Sequence, residues 1–343
     1  MPDGNFFVFE DFHNNRSDIW ALQEKDDLFH KLNREPIRLT AGPLSFHSPQ
    51  PSTDGKRIFV IGEQQRAELV RYAGKLQQFV PYLDGILAYG VSFSPDGRWV
   101  CYVSYPEGDL WRSRVDGTEK LQMTSAPFFT LSPQWSPDGK QIAFVGSVPG
   151  KVQQIYLVPA EGGTPQELPV ATLNAGWISW SPDGNTIFFS DASGPNNTYL
   201  RSVNVHTQSV ITLPNLPGSR TVHIPVRSPR GRWLVASTLN GQQLMLLNLD
   251  TQKWSELVHM NVGSAGWSVD GQHVYFDTGS GTDPGIYRVR IADRKLERIA
   301  DTRSVRRPFT GWLPWIGITP DGSPLIMRDV GTQEVYALEL EER

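Results

Sequence analysis

The sequence repeats a short turn signal at a nearly constant spacing, and this repetition constrains the fold more than any other feature. The clearest copy is residues 180–184, Trp-Ser-Pro-Asp-Gly, which an apolar run follows at once. Asp-Gly between apolar segments predicts a tight turn joining two strands, because such turns need a positive φ that glycine adopts freely. The glycine of this turn recurs at Gly4, Gly55, Gly97, Gly139, Gly184, Gly231, Gly271 and Gly322.

The spacing of these turns predicts the fold class. A period of roughly 40 to 50 residues that contains several short strands is typical of a β-propeller, in which each blade buries its faces against its neighbours. The composition agrees, since 39% of the residues are hydrophobic and glycine and proline are frequent, with 31 and 26 copies. We therefore predict an all-β β-propeller of eight repeats and eight blades, the first and last incomplete, with seven blades as the alternative.

Each repeat is predicted to contain four strands, A to D, with the turn between A and B. In the repeat around Gly139, strand A is residues 133–136, strand B 142–145, strand C 154–158 and strand D 166–168. The first repeat begins at the turn without a strand A, and the last ends after strand C. We expect residues 1–343 to form a single propeller domain that is a fragment of a longer multidomain protein.

The aspartate of the turn is predicted to be structural. In the sixth copy Arg230 replaces it, whereas the glycine remains as Gly231. A backbone requirement explains this pattern better than a chemical one, because the carboxylate can be lost and the glycine is retained. The face that carries the A–B turns is then uniform, and we place the functional site on the opposite face, where the D–A and B–C loops vary.

The net charge and the distribution of apolar residues limit the kinds of partner that this domain is expected to contact. The net charge is −4 and no long basic run occurs, so we expect no contact of this domain with nucleic acid. No apolar stretch is long enough to span a membrane, and the first residues do not resemble a signal peptide. As written, the chain is expected to be soluble and cytoplasmic, or periplasmic if an upstream segment is missing. The one cysteine, Cys101, lies in an apolar run and is predicted to be a buried, inert thiol.

The loop of residues 302–315 is the richest candidate binding segment. Arg306 and Arg307 lie in it together with Trp312, and arginines beside tryptophans can grip a carboxylate, a phosphate or a peptide. The alternative is that the arginines pair with acidic groups and the tryptophan packs. We expect replacement of both arginines by alanine to abolish partner capture without lowering thermal stability. Further candidates precede a strand A, namely Tyr89, Trp177, Arg220 and His223.

The sequence contains no local motif of a known enzyme class. No nucleophile elbow, phosphate-binding loop, paired-cysteine site or metallopeptidase histidine pair occurs, so no catalytic residue, cofactor or metal is predicted. The polar loops that begin at Asp191 and Asp277 lack the alternating acidic spacing of a calcium loop. If the protein is instead an enzyme, His223 with Arg220 is the predicted acid–base and anion-holding pair.

Residues 93–97, 135–139, 180–184 and 267–271 resemble the TolB-like propeller repeat, a relative of the Trp-Asp repeat. The resemblance implies that the aromatic residue packs between blades and that Asp-Gly forms the A–B turn. Residues 328–338 are similar to the C-terminal end of bacterial proteins that carry this propeller behind a winged-helix regulator or a Ser/Thr kinase, which implies a sensory or protein-binding module.

Together these features predict a non-enzymatic propeller that binds a protein or a small molecule on its loop face, as the sensory or scaffold part of a bacterial regulatory protein. The alternative is a propeller enzyme, a lyase or hydrolase with a site in the channel, or the gating propeller of a peptidase.

Overall fold

A computed structural model describes residues 1–2, 4–13, 16–24, 35–170, 174–193, 198–216, 222–279, 282–308 and 315–339. Within these ranges the chain folds into β-strands joined by turns, with one short 3-10 segment at Leu83–Gly85. The all-β prediction is therefore confirmed. Among the described residues no helix is long and apolar enough to cross a membrane. The strands are, in chain order, β1 Phe6–His13, β2 Arg16–Gln23, β3 Ile37–Arg38, β4 Ser45–Pro51, β5 Arg57–Gln64, β6 Ala67–Ala73, β7 Gln78–Pro81, β8 Ala88–Phe93, β9 Trp99–Ser104, β10 Leu110–Arg114, β11 Leu121–Gln122, β12 Phe129–Trp135, β13 Gln141–Ser147, β14 Gln154–Pro159, β15 Gln166–Leu168, β16 Ala175–Trp180, β17 Thr186–Asp191, β18 Tyr199–Asn204, β19 Val210–Thr212, β20 Val222–Arg227, β21 Trp233–Thr238, β22 Gln243–Asn248, β23 Lys253–His259, β24 Ala265–Trp267, β25 His273–Asp277, β26 Gly285–Arg290, β27 Leu296–Asp301, β28 Gly317–Ile318, β29 Pro324–Asp329 and β30 Thr332–Glu339.

The described strands form eight sheets, six of four strands and two of three. This matches the eight predicted repeats. The pairing within each sheet is antiparallel, and the second strand of a repeat lies in the middle, as in the order β16-β17-β18-β19. That position explains the apolar runs after each turn, because a central strand between packed sheets is buried on both faces. In β17 the residues Ile187, Phe188 and Phe189 are all buried.

The chain divides into two compact units. One comprises residues 68–328 and contains the six four-stranded sheets; the other comprises residues 1–67 and 329–343 and contains the two three-stranded sheets. In the larger unit the innermost strands β8, β12, β16, β20, β24 and β28 pack in succession, and β28 packs against β8. The six sheets of this unit therefore form a closed ring.

The ring closes by a strand exchange that differs from the predicted order. Strands β6 and β7 of the second repeat do not pair with β4 and β5 but complete the last sheet, in the order β28-β29-β6-β7. The last repeat's strand C, β30, pairs instead with β5 over eight residues in the smaller unit. Within the larger unit an ion pair between Arg328 and Glu68 accompanies the joint, with Arg328 Nε 2.6 Å from Glu68 Oε1. The last four-stranded sheet thus combines both ends of this unit.

The repeated turn has the predicted local chemistry. In the turn between β16 and β17, Gly184 has φ of 72° and donates to the Ser181 carbonyl oxygen at 3.0 Å. Asp183 accepts hydrogen bonds from the Ser181 hydroxyl and from the Asn185 N–H, and the first of these is the main cause that lowers the pKa of Asp183 below its ordinary value. Every polar atom of the carboxylate is engaged within the turn, which agrees with a structural role.

The aromatic residue before the turn contacts the preceding sheet. Trp180 Nε1 donates to the Gln134 carbonyl oxygen of β12 at 3.2 Å, and Trp267 Nε1 donates to the Val226 carbonyl oxygen of β20 at 2.8 Å. Each indole also joins the buried cluster between neighbouring sheets. Cys101 is fully buried, and burial raises the pKa of its thiol. Packing between sheets and a buried thiol are both as predicted.

Candidate functional site

The six-sheet unit has two ends of different character. Because the strands of each sheet alternate in direction, the A–B turns all lie at one end, which we call the turn face, and the B–C and D–A loops lie at the other, the loop face. On the loop face, three consecutive sheets enclose a cavity of about 550 Å³, which we call the loop-face cavity. It is lined by Ser147, Lys151, Val152, Gln153, Asn174, Gly176, Trp177, Ser190, Ala192, Thr198, His223 and Leu239.

Asn174 joins two of the loops that form the cavity. Its side-chain oxygen accepts a hydrogen bond of 3.2 Å from the Gln153 N–H, and its own N–H donates at 3.2 Å to Oδ1 of Asp191. Its carbonyl oxygen accepts from the Ala192 N–H at 3.0 Å. The loops after β13 and β17 are therefore connected through one residue, which fixes the spacing of the groups that line the cavity.

Asp191 is the buried carboxylate that accepts the hydrogen bond from Asn174. The residue is fully buried at the end of β17 and accepts a 2.7 Å hydrogen bond from Arg201 Nε and a further one from the Ser193 N–H. Burial raises the pKa of the carboxyl group, but the hydrogen bonds from Ser193 and Arg201 outweigh it and hold the pKa below its ordinary value. Its negative charge is thus compensated inside the protein and is not presented to the cavity.

His223 and Trp177, two predicted candidates, lie together in the wall of the cavity. His223 is half-buried at the start of β20, and burial lowers the pKa of its imidazole, whereas a backbone hydrogen bond with Thr238 acts in the opposite direction. Its Nε2 atom is buried and has no hydrogen-bond partner among the described residues. Both rings line the cavity and give it aromatic surface, whereas Nε2 itself is covered by surrounding atoms.

The rim of the cavity combines apolar side chains with one cation. Val152 is 52% exposed and Leu239 is 51% exposed, each on a B–C loop. Lys151 is the one formally charged side chain among the described residues that line the cavity. The remaining polar groups are hydroxyls and amides. Such a site suits a neutral or anionic ligand that carries amide groups and an apolar part.

In the richest predicted loop, residues 302–315, Arg307 has a structural role. Arg307 donates to Asp277 Oδ2 at 2.6 Å and to the Trp315 carbonyl oxygen at 3.2 Å. Arg303, in the same segment, pairs with Asp301 at the surface. Arg306 is exposed. Two predicted residues, Trp312 and Arg220, lie outside the described residues.

Tyr89 connects two sheets. Its hydroxyl donates to the Thr130 carbonyl oxygen of β12 at 3.2 Å, and its ring meets that of Tyr105 edge-on at 6.4 Å. Burial raises the pKa of its phenol. It does not line the loop-face cavity in the part of the chain that the structure describes.

The sequence reasoning missed Asn174 and Lys151, because an asparagine and a lysine in polar loops carry no motif. It considered the loops at Asp191 and Asp277 only for calcium binding, and predicted no metal there. In the structure both aspartates accept hydrogen bonds from an arginine. Within the described ranges, no group of three or more histidine, cysteine, aspartate or glutamate side chains is placed to hold a metal ion.

Comparison with known proteins identifies the family. The model of the TolB beta propeller domain matches residues 86–314. The chain belongs to this family. The TolB-like propeller of this chain shares 26% identity over 210 residues with the uncharacterized peptidase YuxL of Bacillus subtilis (strain 168), covering 46% of the chain and 32% of the relative. It shares 28% identity over 228 residues with the uncharacterized protein Atu1656 of Agrobacterium fabrum (strain C58), covering 65% of the chain and 60% of the relative.

The fold of the TolB-like propeller is also found among solved structures. A candidate TolB from Agrobacterium tumefaciens superimposes with a TM-score of 0.61 at 21% sequence identity, covering 77% of this chain and 98% of that one. Identity at this level shows the fold alone. The chain spans about a third of the Bacillus relative's length and 60% of the Agrobacterium fabrum relative's length.

Proposed function

We propose that this TolB-like propeller is a non-enzymatic binding module that receives a ligand or a protein segment in its loop-face cavity. The observation that carries the proposal is the convergence of three sheets on one cavity of about 550 Å³, with Trp177 and His223 in its wall. A concave site with an aromatic surface and a few placed polar groups is the usual form of a ligand pocket. Loops on a rigid scaffold commonly carry such sites.

The chemistry of the lining favours a short peptide segment. Asparagine, glutamine and hydroxyl side chains can exchange hydrogen bonds with backbone amides. Val152 and Leu239 provide apolar contacts at the rim, and Lys151 favours an acidic residue nearby. An acidic peptide segment with one bulky apolar side chain would match the polar groups, the apolar rim and the lysine.

The role of this propeller within a longer protein is also a proposal. The similarity of residues 328–338 to the end of propellers in winged-helix regulators and Ser/Thr kinases supports a sensory or scaffold module of a longer bacterial protein. Arg306, Arg220 and Trp312 remain proposed contacts of a larger partner on the loop face, and one propeller domain over residues 1–343 remains a prediction.

The experiment selects peptides from a random library on the wild-type protein and measures their affinity for three variants. Val152→Asp and Leu239→Asp place a carboxylate at the rim, whereas Ile211→Asp, also at an exposed aliphatic residue (62%), changes the outer strand β19. We expect the two rim variants to weaken binding at least about tenfold, since an apolar contact and charge complementarity are both lost. Equal affinity for all three variants would remove the support for this cavity.

A second candidate function is the gating or substrate-selecting propeller of a peptidase. It is favoured by the peptidase name of the Bacillus relative, of which the chain matches 32%. The test is hydrolysis of a dipeptidyl nitroanilide by the protein purified from its natural source. Turnover that a covalent serine-hydrolase inhibitor abolishes supports this candidate, and its absence favours the binding module.

A further inference from the structure

Strand β30 of the smaller unit has one edge that no described strand covers. It pairs with β5 over eight residues, in a sheet of order β30-β5-β4. In the six sheets of the larger unit, the third strand from the inside is always covered by a fourth, namely β11, β15, β19, β23, β27 or β7. Among the described residues no strand lies on the outer side of β30. This edge is therefore open to pairing with another strand.

The sequence of β30 lacks most features that protect a free edge. Residues 332–339, Thr-Gln-Glu-Val-Tyr-Ala-Leu-Glu, include no proline, glycine or lysine, and the pairing with β5 shows no register shift that would indicate a bulge. Its two charged residues are glutamates, of which Glu339 pairs with Arg57 at 3.2 Å. The edge strands β3 and β11, by comparison, are each two residues long. A long and regular edge of this kind is suited to pairing between chains.

The register of β30 shows which of its backbone groups face the open edge. The Val330 N–H donates to the Arg66 carbonyl oxygen at 2.9 Å, and two residues further along Thr332 faces Gln64. Because residues of an antiparallel strand alternate in direction, the even-numbered residues of β30 bond to β5, and the odd-numbered ones direct their N–H and C=O groups outward. The outward-directed residues are Gln333, Val335, Ala337 and Glu339.

Val335, in the middle of the open edge, is an exposed apolar residue. Its side chain is 73% exposed, and Phe59 of β5, on the same face of the sheet, is 41% exposed. On the opposite face Tyr336 and Leu338 pack against the buried cluster of this unit. A second strand beside β30 would therefore cover apolar surface as well as backbone amides.

We propose that β30 pairs antiparallel with β30 of a second copy of this chain, about a two-fold axis at Val335. Outward-directed residues then meet one another, since Val335 faces its own counterpart and Gln333 faces Ala337 of the second copy. Glu334 lies opposite Tyr336 of the second copy, so no glutamate faces another. An axis at Glu334 would instead place two like charges directly opposite, which is destabilising.

The proposed interface is small, and the dimer is therefore expected to be reversible. Two strands of eight residues cover less than the roughly 800 Å² per partner of a standard interface. A dissociation constant in the micromolar range is consistent with this size. Each copy carries one loop-face cavity, so the dimer is a bivalent binding module. A ligand with two recognition segments would gain affinity from both cavities where its linker spans them.

The first test is sedimentation equilibrium of the full chain from about 1 to about 200 µM, a range chosen for micromolar affinity. We expect a monomer–dimer equilibrium, and a monomer at every concentration would overturn the proposal. Val335→Pro removes an outward N–H and leaves the bonds to β5 in place, since proline is tolerated where the N–H of an edge strand faces solvent. It should abolish the dimer, and thermal unfolding checks that the variant is folded.

Charge variants test the position of the two-fold axis. Val335→Lys and Val335→Glu each place like charges opposite one another, so each variant alone should be monomeric. Their mixture should form a heterodimer, because residue 335 of one copy faces residue 335 of the other. Val269→Lys, at a valine of the larger unit that is 56% exposed, is the matched control and should dimerise as the wild type does. Dimers of either variant alone, or a monomeric mixture, would contradict the pairing about Val335.

Discussion

Arg307 and Asp277 form an ion pair of 2.6 Å in which the side chain of the aspartate is 1% exposed. The pair lies on the loop face, at the end of β25, and the arginine also binds the Trp315 carbonyl oxygen. A surface of arginines and tryptophans expected to grip a ligand therefore includes one arginine whose charge is already used. The contact holds the segment after β27 to the end of β25.

Breaking this pair should lower stability. Arg307→Ala leaves the Asp277 carboxylate buried without a counter-ion, which costs roughly 3–5 kcal/mol in comparable buried pairs. We expect a clear fall in the free energy of unfolding measured by denaturant titration. This replaces the expectation that alanine at both Arg306 and Arg307 leaves thermal stability unchanged.

Arg303→Ala is the matched control, because it removes an arginine of the same segment whose side chain is 66% exposed. Surface pairs contribute about 0–1 kcal/mol, so the control should be nearly neutral. Equal effects of the two substitutions would show that the Asp277 pair is not buried in solution.

The carboxyl group of Asp191 should contribute to the loss of folding stability at acidic pH. Its folded pKa is below its ordinary value, so its contribution is present above the unfolded pKa of about 3.9 and is lost as the pH falls through the folded pKa. We expect Asp191→Asn to lower stability at neutral pH and to flatten the loss of stability below about pH 4. Urea titrations at a series of pH values measure this.

Asp109→Asn serves as a control of opposite sign. Burial and the neighbouring charge of Glu107 raise the pKa of Asp109. Ionisation of this group therefore opposes folding as the pH rises, and its removal should enlarge the gain of stability between acid and neutral pH. If stability falls equally steeply with acidification in both variants, the proposed contribution of the Asp191 carboxylate is contradicted.

Gly108 should tolerate no side chain. Its φ is 80°, and an added Cβ would lie 2.2 Å from the Phe129 ring, on a strand that packs in the core. Gly117, with a φ of 82°, has no atom within 4 Å of such a Cβ. We expect Gly117→Ala to cost about 1 kcal/mol for backbone strain alone and Gly108→Ala clearly more, as measured by thermal unfolding. Similar costs would mean that Phe129 moves aside freely.

The strand exchange that closes the ring predicts which fragment of the chain can fold on its own. A polypeptide of residues 67–329 contains all six four-stranded sheets, and we expect it to unfold cooperatively on its own. Residues 86–314, the span of the family match, lack β6, β7, β28 and β29 and leave the ring open. We expect this shorter piece to be less stable in thermal unfolding; equal stability would contradict the closed ring.

Much of the fold was predictable because it depends on local chemistry repeated many times. The turn glycines, the hydroxyl and carboxylate that bond within each turn, and the apolar second strand all act within a few residues. The substitution of Arg230 for the turn aspartate was enough to predict that Asp183 is structural, and the hydrogen bonds of that side chain agree.

The closure of the ring and the composition of the site were not predictable in the same way. Both depend on which distant segments meet, and β6 meets β29 across some 250 residues of chain. Trp177 and His223 were named from their places before a strand A, but their meeting with Asn174 and Lys151 follows from packing between three sheets. No spacing of residues in the sequence indicates that these four residues line one cavity.

The most direct test of the proposed function is the crystal structure of the protein with the tightest peptide selected on it. We predict electron density for the peptide in the loop-face cavity, in contact with Trp177 and His223. Density for the peptide on the turn face or on the outer strands, with the cavity unchanged, would contradict the account.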